Sequence, residues 1–168
     1  MEHLWRYEKI LTLGEAAKKA ETLRAGGKTI VTANGSFDLL QAGHLDFIEE
    51  AKQQGDILII GINTDRRVKE KKGEARPIIP QDSRAALLAA LEAVDYVTFI
   101  DGPYDEEPHG SFLSAIKPDI HVNGADYSKN IEDWIEWPAM KEIGAKGYVV
   151  ERRPNLSTSE IIEKIRKG

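Results

Sequence analysis

Residues Asp56–Asn63, DILIIGIN, place the tightest constraint on the fold: between the polar ends every residue is apolar or glycine. A strand shows alternate side chains to opposite faces, so a run without polar alternation needs cover on both. That is the setting of an interior strand in a parallel sheet, whose neighbours are joined by long, usually helical, crossovers. The chain supplies such crossovers throughout. GEAAKKAETLRAGG (Gly14–Gly27) reads as a helix closed by glycines, and KTIVTA (Lys28–Ala33) as a strand. HLDFIEEAKQQG follows as a helix with Leu45, Ile48 and Ala51 on one face. A polar, basic loop is expected over Thr64–Pro80, then a helix over Gln81–Val94 and a strand over Asp95–Ile100. An acidic loop through His109 precedes a short helix near Phe112–Ile116 and a strand over Asp119–Asn123. The segment Ile131–Gly144 reads as helical, kinked or divided by Pro138, and Gly147–Glu151 as the fifth strand. The last helix carries Ser157 and Glu160 at capping-box spacing before a stripe of Ile161, Ile162 and Ile165.

This alternation predicts an α/β fold with an open, doubly wound, five-stranded parallel sheet. The 168 residues suit a single domain, with residues 1–27 as a helical lead-in. A net charge of −5 argues against a dedicated nucleic-acid binder, which needs lysine and arginine to neutralise phosphates. No apolar run nears the roughly 20 residues of a membrane span. The N-terminus MEHLWRYEKI lacks the layout of a signal peptide, and a chain without cysteine has no disulfide or thiolate metal site. A cytoplasmic protein is expected.

Ligands of such a sheet sit beyond the carboxyl ends of its strands, where strand order reverses. The P-loop, the G-x-G-x-x-G turn, H-E-x-x-H and G-x-S-x-G are all absent, and the histidines at 3, 44, 109 and 121 are too scattered to suggest zinc. The loop after the first strand remains. In TANGSFDLLQAGH a helix opens on Ala42-Gly43-His44, and a helix start offers amide donors and a positive dipole end to an anion. Gly43 permits close approach and His44 adds a donor; equally, the pair serves as a tight packing point and a surface residue.

GSFDLLQAGH resembles the signature of the nucleotidyltransferase superfamily built around H-x-G-H. The resemblance runs on through GINTDRRVKEKKGEARPIIP, QDSRAALLAALEAVDYV, PDIHVNGADY and LSTSEIIEKI, in family order from about Thr29 to Ile165. Within the superfamily the chain is most similar to the adenylyltransferases of D-glycero-β-D-manno-heptose 1-phosphate. Their pattern matches at Asn34–Asp38, Lys72–Pro77, Ala90–Asp95 and Pro118–Tyr127. The resemblance implies a Rossmann-like nucleotidyltransferase fold, transfer of AMP from ATP to a sugar 1-phosphate with Mg2+ carried by the triphosphate, and a homodimer. It leaves two rivals: a glycerol-3-phosphate-type cytidylyltransferase and a nucleotide-binding module with impaired catalysis.

By the same resemblance, His44 donates to phosphate oxygens, and Lys72, with Lys69, reaches them from the basic loop. Arg84 matches an arginine that helps hold phosphate, though residue type alone equally suits a surface ion pair. Asp38 organises the acceptor or a metal-bound phosphate, or is a turn residue. Gly35, Ser36 and Phe37 turn main-chain groups to the nucleotide, with Phe37 also readable as core. Asn123, Gly124 and Asp126 together with Ser157, Thr158 and Ser159 flank the nucleoside, while Arg152 or Arg153 extends towards phosphate; Asn123 replaces the usual lysine. Gln41 replaces the first motif histidine. Its amide donates a hydrogen bond but carries no charge, and loss of one such donor costs about 10²–10³ in rate.

Overall fold

The computed structural model describes residues 4–102, 110–125, 127–151 and 158–167. Five parallel strands form one sheet in the order β3-β2-β1-β4-β5: β1 (Ile30–Gly35), β2 (Ile57–Asn63), β3 (Tyr96–Ile100), β4 (Ile120–Gly124) and β5 (Lys146–Val150). The chain winds outward from β1 through β2 to β3, then crosses back to β4 and β5. The switch point therefore lies between β1 and β4, and the doubly wound expectation holds. In register, Ala33 pairs with Ile60 of β2 and Val122 of β4, so the ends of all three strands open at one rim.

Helices α1 (Leu13–Ala25), α2 (Ala42–Lys52), α3 (Asp65–Lys72), α4 (Gln81–Ala89), α5 (Gly110–Ile116), α6 (Trp137–Ile143) and α7 (Thr158–Arg166) complete the described secondary structure, with 3-10 turns at Trp5–Lys9 and Ile131–Asp133. Successive side chains of β2 serve opposite cores, as its unbroken apolar run requires. Leu58, Ile60 and Ile62 pack with Ile48 of α2 and Leu88 of α4; Ile59 packs with Ala16 and Ala20 of α1, Phe112 of α5 and Met140 of α6.

Two expectations need correction. The Thr64–Pro80 loop contains α3: its residues are good helix formers, but the helix buries only Arg67 and Val68 and so lacks an apolar stripe. It stops at Gly73, whose φ of +88° suits glycine. The helix expected over Gln81–Val94 ends at Ala89, and Leu91 and Val94 close a turn instead. Of the two expectations for Ile131–Gly144 the divided one holds: a 3-10 turn at Ile131–Asp133 precedes α6, and Pro138 lies in the first turn of α6 where its missing N–H is harmless. The aromatic segment around Trp134 covers the sheet: Trp134 and Met140 belong to the core. The acidic loop through His109 and the Ser157 half of the capping box lie outside the described residues.

Candidate active site

A cavity of about 410 Å³ opens at the carboxyl rim of β1, β2 and β4, within the range of small-molecule sites. Gly35, Ser36, Phe37 and Asp38 form its floor after β1, and Gln41, Gly43 and His44 its wall at the start of α2. Lys71, Lys72 and Arg76 reach it from beyond β2; Asn123 and Gly124 from β4; Thr158 and Ser159 from the first turn of α7. The structure thus gathers residues far apart in the chain: Thr158 Oγ1 donates at 2.9 Å to the carbonyl of Asp38, 120 positions earlier. Asp126 and Ser157, like Arg152 and Arg153, lie outside the described residues.

The floor loop is tight. Phe37 and Leu39 adopt left-handed φ of 46° and 50°, a conformation that costs non-glycine residues about 1–3 kcal/mol each. The Phe37 ring is buried, packs 5.6 Å from the His44 ring, and leaves a Cβ at Gly35 only 3.1 Å of room.

Gln41 is the N-cap of α2. Its Oε1 accepts the Gly43 N–H at 2.5 Å, and its carbonyl accepts the His44 N–H at 2.8 Å. Two amides expected to face an anion are therefore held by Gln41, and the helix start offers its dipole and the His44 ring instead. The Gln41 N–H donates to His44 Nδ1 at 3.3 Å, a reciprocal capping box. An accepting Nδ1 keeps the proton of the neutral imidazole on Nε2, so His44 presents an Nε2–H donor.

Asp38 holds the opposite wall. Its Oδ1 accepts from Ile79 N–H at 2.9 Å, and its Oδ2 from Ile78 N–H at 2.9 Å and Arg76 Nε at 2.8 Å. Burial alone would raise its pKa, but these donors outweigh burial and hold the carboxyl below its ordinary value. The carboxylate thus fixes the loop that carries Arg76. Lys72 forms no ion pair among the described residues. Burial, then repulsion from Arg76 and Lys71, lowers its pKa, with Asp38 opposing. Lys72 is exposed to solvent, and an ammonium beside other cations is a place where an anion relieves the electrostatic cost. Lys69 faces outward instead, 3.7 Å from Glu74.

Arg84 is placed differently from the phosphate contact expected of it. Its side chain is fully buried beneath the site and is absent from the cavity wall. The guanidinium donates to the carbonyls of Ser36 (2.5 Å), Asn63 (2.9 Å) and Ile79 (2.9 Å) and pairs with Asp65 at 2.7 Å. It ties the ends of β1 and β2 to the Arg76 loop, a positioning role that residue type alone did not reveal. Lys71, Asn63 and Glu136 also line the cavity and escaped the sequence reading. Lys71 sits in the same basic run as Lys72. Glu136, in an aromatic segment, gave no local signal.

The cytidylyltransferase-like family matches residues 32–164. The bifunctional protein HldE of Hahella chejuensis is 40% identical over 157 residues, covering 94% of this chain and 32% of that protein. HldE of Helicobacter pylori strain G27 is 42% identical over 164 residues, covering 96% of this chain and 32% of that protein. The chain thus spans about a third of the length of these curated relatives. Among solved structures, the lipopolysaccharide core biosynthesis protein of Thermoplasma volcanium is similar at a TM-score of 0.56 and 27% identity, covering 76% of this chain and 98% of that one. The pantoate-β-alanine ligase of Francisella tularensis has a TM-score of 0.57 at 20% identity over 95% of this chain and 78% of that one, a likeness of fold.

Proposed function

The chain belongs to the cytidylyltransferase-like family of nucleotidyltransferases, and from that membership we propose that it transfers AMP from ATP to D-glycero-β-D-manno-heptose 1-phosphate, releasing pyrophosphate. The observation that carries the proposal is the convergence, on one cavity at the sheet's switch point, of the α2 start with His44 and the cationic group Lys71, Lys72 and Arg76. The HldE relatives at about 40% identity and the motif resemblance support the choice of acceptor.

The acceptor's phosphate oxygen attacks the α-phosphorus of ATP; the bond from that phosphorus to the bridging oxygen breaks, and its electrons leave on pyrophosphate. The reaction needs alignment and positive charge more than covalent help. His44 donates through Nε2–H to the phosphate oxygens, while Lys72 and Arg76 stabilise charge moving to the leaving group. Gln41 holds the helix start and the His44 tautomer without adding charge. Mg2+ enters on the triphosphate as part of the substrate. Both oxygens of Asp38 are engaged by protein donors, which fits a cation held by phosphates rather than by this side chain. A homodimer and a cytoplasmic location belong to the same proposal; among the described residues no helix is long and apolar enough to cross a membrane.

The test is pyrophosphate release with MgATP or MgCTP, offering heptose 1-phosphate or glycerol 3-phosphate and identifying the product by mass. ADP-heptose from the first of each pair is the expected result. CTP-dependent turnover of glycerol 3-phosphate would replace the reading with a cytidylyltransferase. Saturable nucleotide binding without turnover of either acceptor would make the domain a binding module.

A further inference from the structure

The carboxyl ends of β1 and β4 carry one asparagine each, Asn34 and Asn123, and both donate to Glu136. Asn34 Nδ2 lies 3.3 Å from Oε1 and Asn123 Nδ2 lies 3.3 Å from Oε2. Glu136 is only 2% exposed, yet it lines the cavity. A carboxylate is costly to bury and is kept where donors meet it. With its N–H turned to the carboxylate, Asn34 leaves Oδ1 buried and without a hydrogen-bond partner among the described residues. That one buried acceptor, left unmet beside a cleft among the described residues, calls for an explanation, and a ligand that brings donors provides one.

The position in the sheet says which part of a nucleotide that is. Lys71, Lys72 and Arg76 come from beyond β2, on one side of β1, whereas Asn123 and Glu136 belong to the β4 side. Phosphates are drawn to the cations and repelled by the carboxylate, so the uncharged, hydroxyl-bearing part of the molecule faces Glu136. Ribose is that part: its cis-diol offers two O–H donors, and an acidic side chain on a ribose hydroxyl is the pairing used in dinucleotide-binding sheets of similar design.

We infer that Glu136, set by Asn34 and Asn123, accepts hydrogen bonds from the ribose hydroxyls of the bound nucleotide and so selects ribonucleotides over 2′-deoxyribonucleotides. The inference rests on the nucleotide-binding reading above but not on the choice of acceptor. It is tested by equilibrium binding of MgATP and of its 2′-deoxy analogue, without acceptor, to the unmodified chain and to Glu136→Gln. The unmodified chain is expected to prefer ATP by about 10- to 100-fold, the range for a hydrogen bond to a charged group. In Glu136→Gln the ratio is expected to fall towards unity, mainly through weaker ATP binding. Equal affinity of the unmodified chain for the two nucleotides would overturn the inference even if the variant failed to fold. Equal weakening of both nucleotides in the variant would overturn it too, placing Glu136 at the base or in the scaffold. Absence of any ATP binding overturns this inference and the proposed function together, whereas ATP binding without preference overturns this one alone.

Discussion

Replacing Asp38 by Asn removes one charge from the centre of the candidate site while keeping the side chain's shape. The carboxylate is 1% exposed and its partner Arg76 is 13% exposed, with Arg76 Nη2 at 2.7 Å. Asparagine keeps a single carbonyl oxygen where the carboxylate serves two backbone N–H groups and a guanidinium. Its amide nitrogen therefore meets a donor with a donor, and Arg76 is left without a charged partner. Breaking a largely buried pair from one side costs about 3–5 kcal/mol. At about 2–4 °C per kcal/mol for a chain of this size, the melting temperature should fall by about 6–20 °C. Thermal and urea unfolding at neutral pH read the effect. Because the folded pKa of Asp38 is depressed, its stabilisation is fully present above the ordinary value of 3.8 and is lost as pH falls through the lower folded value. The gap between variant and parent should therefore narrow in acid. A loss under about 1 kcal/mol at neutral pH, or a gap that does not narrow, would refute the role assigned to Asp38.

Gln41→Glu preserves an acceptor for the Gly43 N–H and adds negative charge at a helix start, so stability should hold or rise by about 0.3–1 kcal/mol. The same charge beside the phosphate site should weaken ATP binding by at least about tenfold; unchanged affinity in a calorimetric titration would remove Gln41 from the phosphates. Lys72→Met should weaken ATP binding by about 10- to 100-fold. Since Lys72 is depressed below its ordinary 10.5 and a bound phosphate favours the ammonium, ATP affinity of the parent should fall as pH rises through the lowered value. That alkaline decline should flatten in the variant, and its persistence there would contradict the assignment.

DILIIGIN announces a buried parallel strand because its pattern is local, and the alternating helices follow from chain connectivity. The start of α2 is legible for the same reason: Gln41, Gly43 and His44 act within three residues of one another. Polarity misled the reading of Asp65–Lys72, a helix that lies on the surface with few apolar contacts. Arg84 and Glu136 were illegible because burying a charge depends on partners far along the chain: Ser36 and Asn63 for the arginine, Asn34 and Asn123 for the glutamate. Asp38 was recognised, but the partners that define its task lie some 40 residues on, at Arg76, Ile78 and Ile79.

The central claim is that His44, fixed by the Gln41 cap, donates to phosphate as charge moves in nucleotidyl transfer. The most direct test is the initial rate of pyrophosphate release from MgATP and heptose 1-phosphate, comparing the unmodified chain with His44→Ala. Turnover should fall by about 10²–10³-fold, the cost of one such donor, while the melting temperature stays within a few degrees, about the cost of a lost capping contact. A folded His44→Ala protein that releases pyrophosphate at the parent rate would contradict the account.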